Sequence, residues 1–261
     1  MIWRIAQASA VGTSHIQSGQ ECQDDCLAER IVAADGAEYF IGLVADGAGS
    51  AIFSREGAEL ACQTAHALIS RWLTTGVVRS SLDRDLVLTW FEEIRRLIFD
   101  KAATRSVRPR DFACTFLATV IGPDAAAFFQ IGDGAIVVCR NDVVAPVFWP
   151  DTGEYENTTH FITDDDALMR LRILILPVVP DDVAMFTDGL QRLALSYQSM
   201  SAHVPFFDQM FGIVRRAKTE ECDALSDQLA CLLGNEKVNE RTDDDKTLVL
   251  ASQRGAGGAP A

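Results

Sequence analysis

Positive charge is scarce in this chain. Against 37 Asp and Glu there are 23 Lys and Arg, a formal net charge of -14. A surface of that sign repels nucleic-acid backbones and anionic lipid at long range, and it accommodates a basic partner more easily. Long apolar runs are missing as well. No stretch reaches the roughly 18 uncharged apolar residues of a membrane span, and Arg4 and Gln7 interrupt the N-terminal run where the apolar core of a secretion signal would lie. A cytoplasmic protein without nucleic-acid or membrane partners is therefore expected. Paired cysteines are the third lack. Cys22, Cys26, Cys62, Cys114, Cys139, Cys222 and Cys231 are odd in number and contain no CxxC pair, which argues against a disulfide framework and a zinc knuckle. No Gly-x-x-x-x-Gly-Lys-Ser/Thr loop is present, so a P-loop nucleotide site is not expected.

What is present is enough apolar material for a large core: 48% of 261 residues. One domain over residues 1–254 is expected, followed by a flexible tail, 255–261, that lacks core-forming residues. Strand signals cover Ile2 to Ala10, Cys26 to Ala33 and Tyr39 to Ala45. Ser54 is placed as the N-cap of a helix to about Leu73 whose apolar face is Ala58, Ala61, Ala65, Leu68, Ile69 and Trp72. A second helix, about Asp85 to Thr104, repeats the stripe with Trp90, Ile94 and Ile98. Phe112 to Ile121, Ala125 to Ile131, Ala135 to Arg140 and Val143 to Phe148 read as an antiparallel meander. After an irregular segment, strands are expected near Arg172 to Leu176 and Asp182 to Thr187. Helices are expected near Gln191 to Gln198, Pro205 to Ala217 and Glu221 to Leu233, and a last strand near Lys246 to Ala251.

Two of these strands end in the same way. Asp46 follows the apolar run 39–45, Asp188 follows 183–187, and each is succeeded at once by glycine. A buried strand ending in Asp-Gly projects a carboxylate from the sheet edge, and the glycine leaves room for a ligand or a tight turn. Asp35-Gly36 shares the dipeptide but reads as a hairpin turn only. With Asp24 and Asp244, the two strand ends suggest a shared site for hard divalent cations, which prefer oxygen ligands.

Six short elements in order resemble the metal-dependent protein phosphatases of the 2C type, especially their compact bacterial members. Cys22-Gln23-Asp24 resembles the family's Asn-Glu-Asp element, and Asp46-Gly47-Ala48-Gly49 its Asp-Gly-x-Gly loop. Ala113-Cys114-Thr115 is similar to its Gly-Thr-Thr strand, and Gly132-Asp133-Gly134 to its Gly-Asp-Ser turn. Thr187-Asp188-Gly189-Leu190 resembles Ser-Asp-Gly-Leu, and Asp244-Asp245-Lys246-Thr247 resembles the terminal Asp-Asn-x-Thr. The resemblance implies an α+β fold, a four-layer α-β-β-α sandwich of two antiparallel sheets flanked by helices. It also implies two Mn²⁺ or Mg²⁺ ions. Asp46 would bridge them, the Gly47 carbonyl would help to bind one, Asp188 and Asp244 would complete the other, and Asp24 would act mainly through bound water. Asp133 would join Asp188 at a weaker third ion. The activity implied is hydrolysis of phosphoserine and phosphothreonine in proteins by direct attack of a metal-bridging water. Phosphorylated proteins and a serine/threonine kinase would be the partners. None of the cysteines has the anion-binding loop of a cysteine phosphatase.

Two positions depart from the family pattern. His15 stands three residues after Gly12, where many relatives have an arginine that grips the substrate phosphate; it is a candidate catalytic residue, as phosphate ligand or as acid to the leaving oxygen. Ala48 stands where well-studied eukaryotic members carry a histidine. These losses leave open a noncatalytic phosphatase-like module that binds a kinase or phosphoprotein, and a small-molecule phosphatase. His66, His160 and His203 read as structural, and Asp164-Asp165-Asp166 as surface or helix cap. Asp-x-x-Thr spacing to Thr247 selects Asp244 over Asp243 and Asp245 as the ligand.

Overall fold

The computed structural model describes residues 2–75, 81–150 and 159–253; the tail 255–261 lies outside them. The chain runs through β1 (Arg4–Ala10), α1 (Thr13–Ser18), β2 (Asp25–Val32), β3 (Glu38–Ala45), α2 (Ser54–Thr74) and α3 (Arg84–Arg105). It continues with β4 (Phe116–Ile121), β5 (Ala126–Ile131), β6 (Ala135–Arg140), β7 (Val143–Pro146), α4 (Ala167–Arg170), β8 (Arg172–Leu176) and β9 (Asp182–Phe186). It closes with α5 (Gln191–Ala194), β10 (Leu195–Ser196), β11 (Ser201–Ala202), α6 (Val204–Arg216), α7 (Cys222–Leu233), α8 (Glu236–Asn239) and β12 (Lys246–Ser252). Every strand pairing is antiparallel. Two five-stranded sheets flanked by helices make this an α+β fold.

The residues form two compact units. Gln23–Gly134 and Pro150–Val179 form one, built on the sheet β2-β3-β4-β5-β8. Its core joins Ala58, Ala61, Ala65 and Ile69 of α2 and Trp90, Ile94 and Ile98 of α3 to Ile41, Leu43, Phe116 and Phe129 of the sheet. Each large apolar side chain buried this way contributes about 1.5–3 kcal/mol. The helical stripes are therefore core, as their spacing indicates. Close helix approach is set by Gly57, where an added Cβ would lie 2.1 Å from the Phe112 carbonyl oxygen.

Met1–Cys22, Ala135–Trp149 and Pro180–Ala261 form the other unit, on the sheet β1-β12-β9-β6-β7. Phe207, Phe211 and Val214 of α6 and Leu229 and Leu233 of α7 cover Ala6, Ala184, Phe186, Leu248 and Leu250.

Three local expectations need correction. The four strands from Phe112 to Phe148 are not one meander: β4 and β5 pair in one sheet, β6 and β7 in the other. The break is at Gly132, whose φ of +100° is open to glycine, with the Gln130 side-chain amide donating to the carbonyls of Gly132 (3.3 Å) and Gly134 (2.6 Å). Ser54 is the first helical residue of α2 and not its cap; Phe53 holds that position without a side-chain cap bond. Tertiary contact fixes the helix entry instead, because Phe53 stacks on Phe112 at 5.1 Å and its N–H donates to Asp111 O at 2.8 Å. The helix expected to Gln198 stops at Ala194, where Leu195 enters the two-stranded pair β10-β11. A further helix, α1, holds His15 and lacks an apolar stripe that would reveal it.

Candidate functional site

At one end of the β2-β3-β4-β5-β8 sheet, the register brings three acidic positions to one edge. Asp25 of β2 pairs with Ala45 of β3, so Asp24 and Asp46 leave neighbouring strands at the same end. Phe116 pairs with Ile131, which puts the Gly132–Gly134 turn and Asp133 at that end too. The loop after Asp46 is strapped on both sides. Asp46 N–H donates to Thr115 Oγ1 (3.1 Å), Thr115 N–H to Asp46 O (2.8 Å), Gly47 N–H to Gln23 O (3.2 Å) and Ala48 N–H to Ala113 O (2.9 Å). A Cβ on Gly47 would meet Gln23 O at 2.7 Å and Ser54 C at 2.8 Å, so glycine is required by close approach. Asp24 is buried, Asp46 and Asp133 half-buried, and Thr159 Oγ1 donates to Asp133 Oδ2 at 2.7 Å. Beneath them burial, and then the charge of Asp46, push the Cys114 thiol well above its ordinary range. Burial does the same to Cys62, reinforced by Asp25. Both thiols are buried and protonated, which fits a role in packing.

The β1-β12-β9-β6-β7 sheet carries its acidic residues at one end as well. Asp188 follows β9 in a 3₁₀ turn, Asp188–Leu190, while Asp244 and Asp245 precede β12, the strand paired with β9. Thr247 ties the two strand ends together: its N–H donates to Thr187 Oγ1 (3.0 Å), its carbonyl accepts from Thr187 N–H (3.3 Å), and its hydroxyl bonds Ser9 Oγ (2.7 Å). Gly189 passes so close to the Asp245 backbone that a Cβ would stand 1.9 Å from its oxygen. Asp244 is exposed, and Asp245, one residue on, is 3% exposed. Asp243 is exposed too.

His15 lies at this same end, since β1 ends at Ala10 opposite Lys246. Asp245 accepts from Gly12 N–H through Oδ1 (2.6 Å) and contacts His15 Nδ1 through Oδ2 (2.9 Å). Nothing local in the sequence marks the Asp245–His15 contact, because 230 residues separate the two.

The remaining candidates fall elsewhere. Asp35 makes a turn, its Oδ1 accepting from Ala37 N–H at 3.0 Å beside Gly36 at φ +84°. His66 bonds Glu29 at 2.5 Å and lies on α2. Among the described residues, His160, Asp164 and Asp166 form a group whose ligand atoms lie within 4.8 Å of one another. Asp166 also accepts from Arg170 Nε at 2.9 Å and Asp164 Oδ2 from Phe161 N–H at 2.8 Å, so both carboxylates fasten their own loop. Asp166 occupies the N-cap position of α4 without a side-chain cap bond.

The donors fit a hard divalent cation. All are oxygens, each sits at a strand end, and the Gly47 backbone lies where a larger residue would collide. Among the described residues no helix is long and apolar enough to cross a membrane.

A family model described as Protein phosphatase 2C matches residues 11–234. Serine/threonine-protein phosphatase 3 of Escherichia coli K12 is 43% identical over 253 residues, covering 96% of this chain and 98% of that protein. A bacterial serine phosphatase crystal structure superposes with a TM-score of 0.65 at 13% identity, covering 96% of this chain and 98% of its own. The serine/threonine phosphatase of S. agalactiae gives 0.62 at 17%, covering 96% and 99%.

Proposed function

The chain belongs to the protein phosphatase 2C family, and from that membership we propose that it hydrolyses phosphoserine and phosphothreonine in proteins with two Mn²⁺ or Mg²⁺ ions. Residues 1–254 act as a single catalytic domain; neither compact unit is a continuous stretch of chain, which supports reading them together. The observation that carries the reading is the placement of the motif carboxylates, each set at one end of its own sheet. Asp46, with the Gly47 carbonyl, and Asp188 and Asp244 would hold the two cations, Asp24 would act through water, and Asp133 would serve a weaker third. Bound cations acidify and orient the attacking water and neutralise charge on the phosphoryl oxygens. The protein's own share is to hold these carboxylates at strand ends, where backbone pairing fixes their positions. His15 contacts the substrate phosphate in place of the usual arginine. A phosphorylated protein, or a serine/threonine kinase that is itself phosphorylated, is the natural substrate.

The high identity to a protein named as a phosphatase supports an enzyme over a noncatalytic binding module. Purified protein is expected to release phosphate from phosphothreonine peptides only with Mn²⁺ or Mg²⁺ present. Asp46→Asn, Asp188→Asn and Asp244→Asn are each expected to weaken metal binding and lower turnover by roughly 10- to 100-fold or more. Asp35→Asn keeps parental kinetics. Full activity in excess chelator would sink the metal-dependent mechanism, and equal loss in all four variants would point to folding instead.

A further inference from the structure

The two departures from the family pattern near this sheet end, His15 for arginine and Asp245 for asparagine, are joined by a direct contact. An ionised carboxylate can only accept hydrogen bonds. Asp245 already accepts from Gly12 N–H through Oδ1, and its Oδ2 stands 2.9 Å from His15 Nδ1. With a carboxylate as acceptor, Nδ1 is the donor of that contact. Among the described residues Nε2 has no hydrogen-bond partner, while the His15 side chain is only 15% exposed. The ring is thus held at one nitrogen and open at the other, on a short helix ending at Gly19 in the left-handed region.

Building on the phosphatase reading above, we propose that Asp245 is a positioning residue: it holds His15 through Nδ1–H and so orients Nε2 toward the substrate phosphoryl group. A guanidinium is charged whatever surrounds it and needs no acidic neighbour. An imidazole is smaller and turns freely, so it needs a partner at Nδ1 to aim Nε2. The buried position of Asp245, 3% exposed, shields the contact from competing water.

The test compares His15→Ala, Asp245→Asn, His15→Ala/Asp245→Asn, His15→Arg and His15→Arg/Asp245→Asn with the parent on a phosphothreonine peptide at saturating Mn²⁺. Asp245→Asn keeps an acceptor for Gly12 N–H, and it is expected to raise KM about tenfold with kcat changed less than about twofold. With alanine at position 15 the same change is expected to add nothing. His15→Arg/Asp245→Asn recovers most of the lost affinity. Nitrogen-15 NMR of the histidines, with His15 identified by its loss in His15→Ala, is expected to show Nδ1 protonated in the parent. Asp245→Asn should alter that pattern. This measurement on the parent stands even if a variant fails to fold. An equal KM increase from Asp245→Asn with histidine or alanine at position 15 would overturn the proposal, as would a neutral parental ring protonated at Nε2. Outcomes also separate this inference from the one before it. A parent without metal-dependent turnover fails the phosphatase reading, whereas a large effect of His15→Ala with none from Asp245→Asn fails the dyad alone.

Discussion

At Gly189 a single hydrogen decides whether the strand end can exist. A methyl there would stand 1.9 Å from the Asp245 carbonyl oxygen, against backbone with no flexible side chain to yield. Gly189→Ala is expected to cost about 1–3 kcal/mol of stability and to displace the segment bearing Asp244 and Asp245. A lowered urea midpoint together with lost turnover checks it; a parental midpoint would show that the backbone yields freely. The glycine was visible in the sequence because it follows an apolar run and an aspartate, a wholly local pattern. So were Asp46 and Asp188. What the sequence hides at this scale is partnership: Thr159 on Asp133 and Asp245 on His15 both depend on the chain returning after intervals that carry no periodic signal.

Elements were legible in proportion to their periodicity. The two long helices α2 and α3 and most strands lie within a few residues of their expected ends, because a buried stripe repeats over many turns. Sheet membership was not legible. Adjacent short strands with similar apolar content give no sign of where one sheet stops, and only the backbone conformation at Gly132 reveals the crossing. Caps were mixed. Asp83 satisfies the Leu86 N–H of α3 at 3.0 Å, whereas α2 relies on the stacking of Phe53. Asp83→Ala is accordingly expected to cost about 1 kcal/mol, measured by denaturant unfolding. Ser54→Ala loses no cap bond, and a penalty from it equal to that of Asp83→Ala would contradict the assignment.

For the whole molecule the excess of acidic residues acts on every approaching substrate. A net charge of -14 draws in basic segments and repels acidic ones over about one Debye length, roughly 8 Å at physiological salt. Phosphopeptides flanked by Lys or Arg are expected to show a several-fold lower KM than those flanked by Asp or Glu, with the gap narrowing as salt rises. Steady-state kinetics at two ionic strengths checks it. A preference that ignores salt would assign selectivity to short-range contacts at the site.

The pairing of β1 with β12 also bears on how the protein is made. Ala10 lies opposite Lys246, and β12 is also the strand that links β1 to β9. During translation at roughly 5–20 residues per second, β1 waits on the order of 10–50 seconds for β12, its one sheet neighbour among the described residues, to emerge. A ribosome stalled before residue 243 releases a chain lacking that strand, Asp244, Asp245 and Thr247 alike. Synthesis of β12 is therefore the step that joins the first strand of the chain to its sheet.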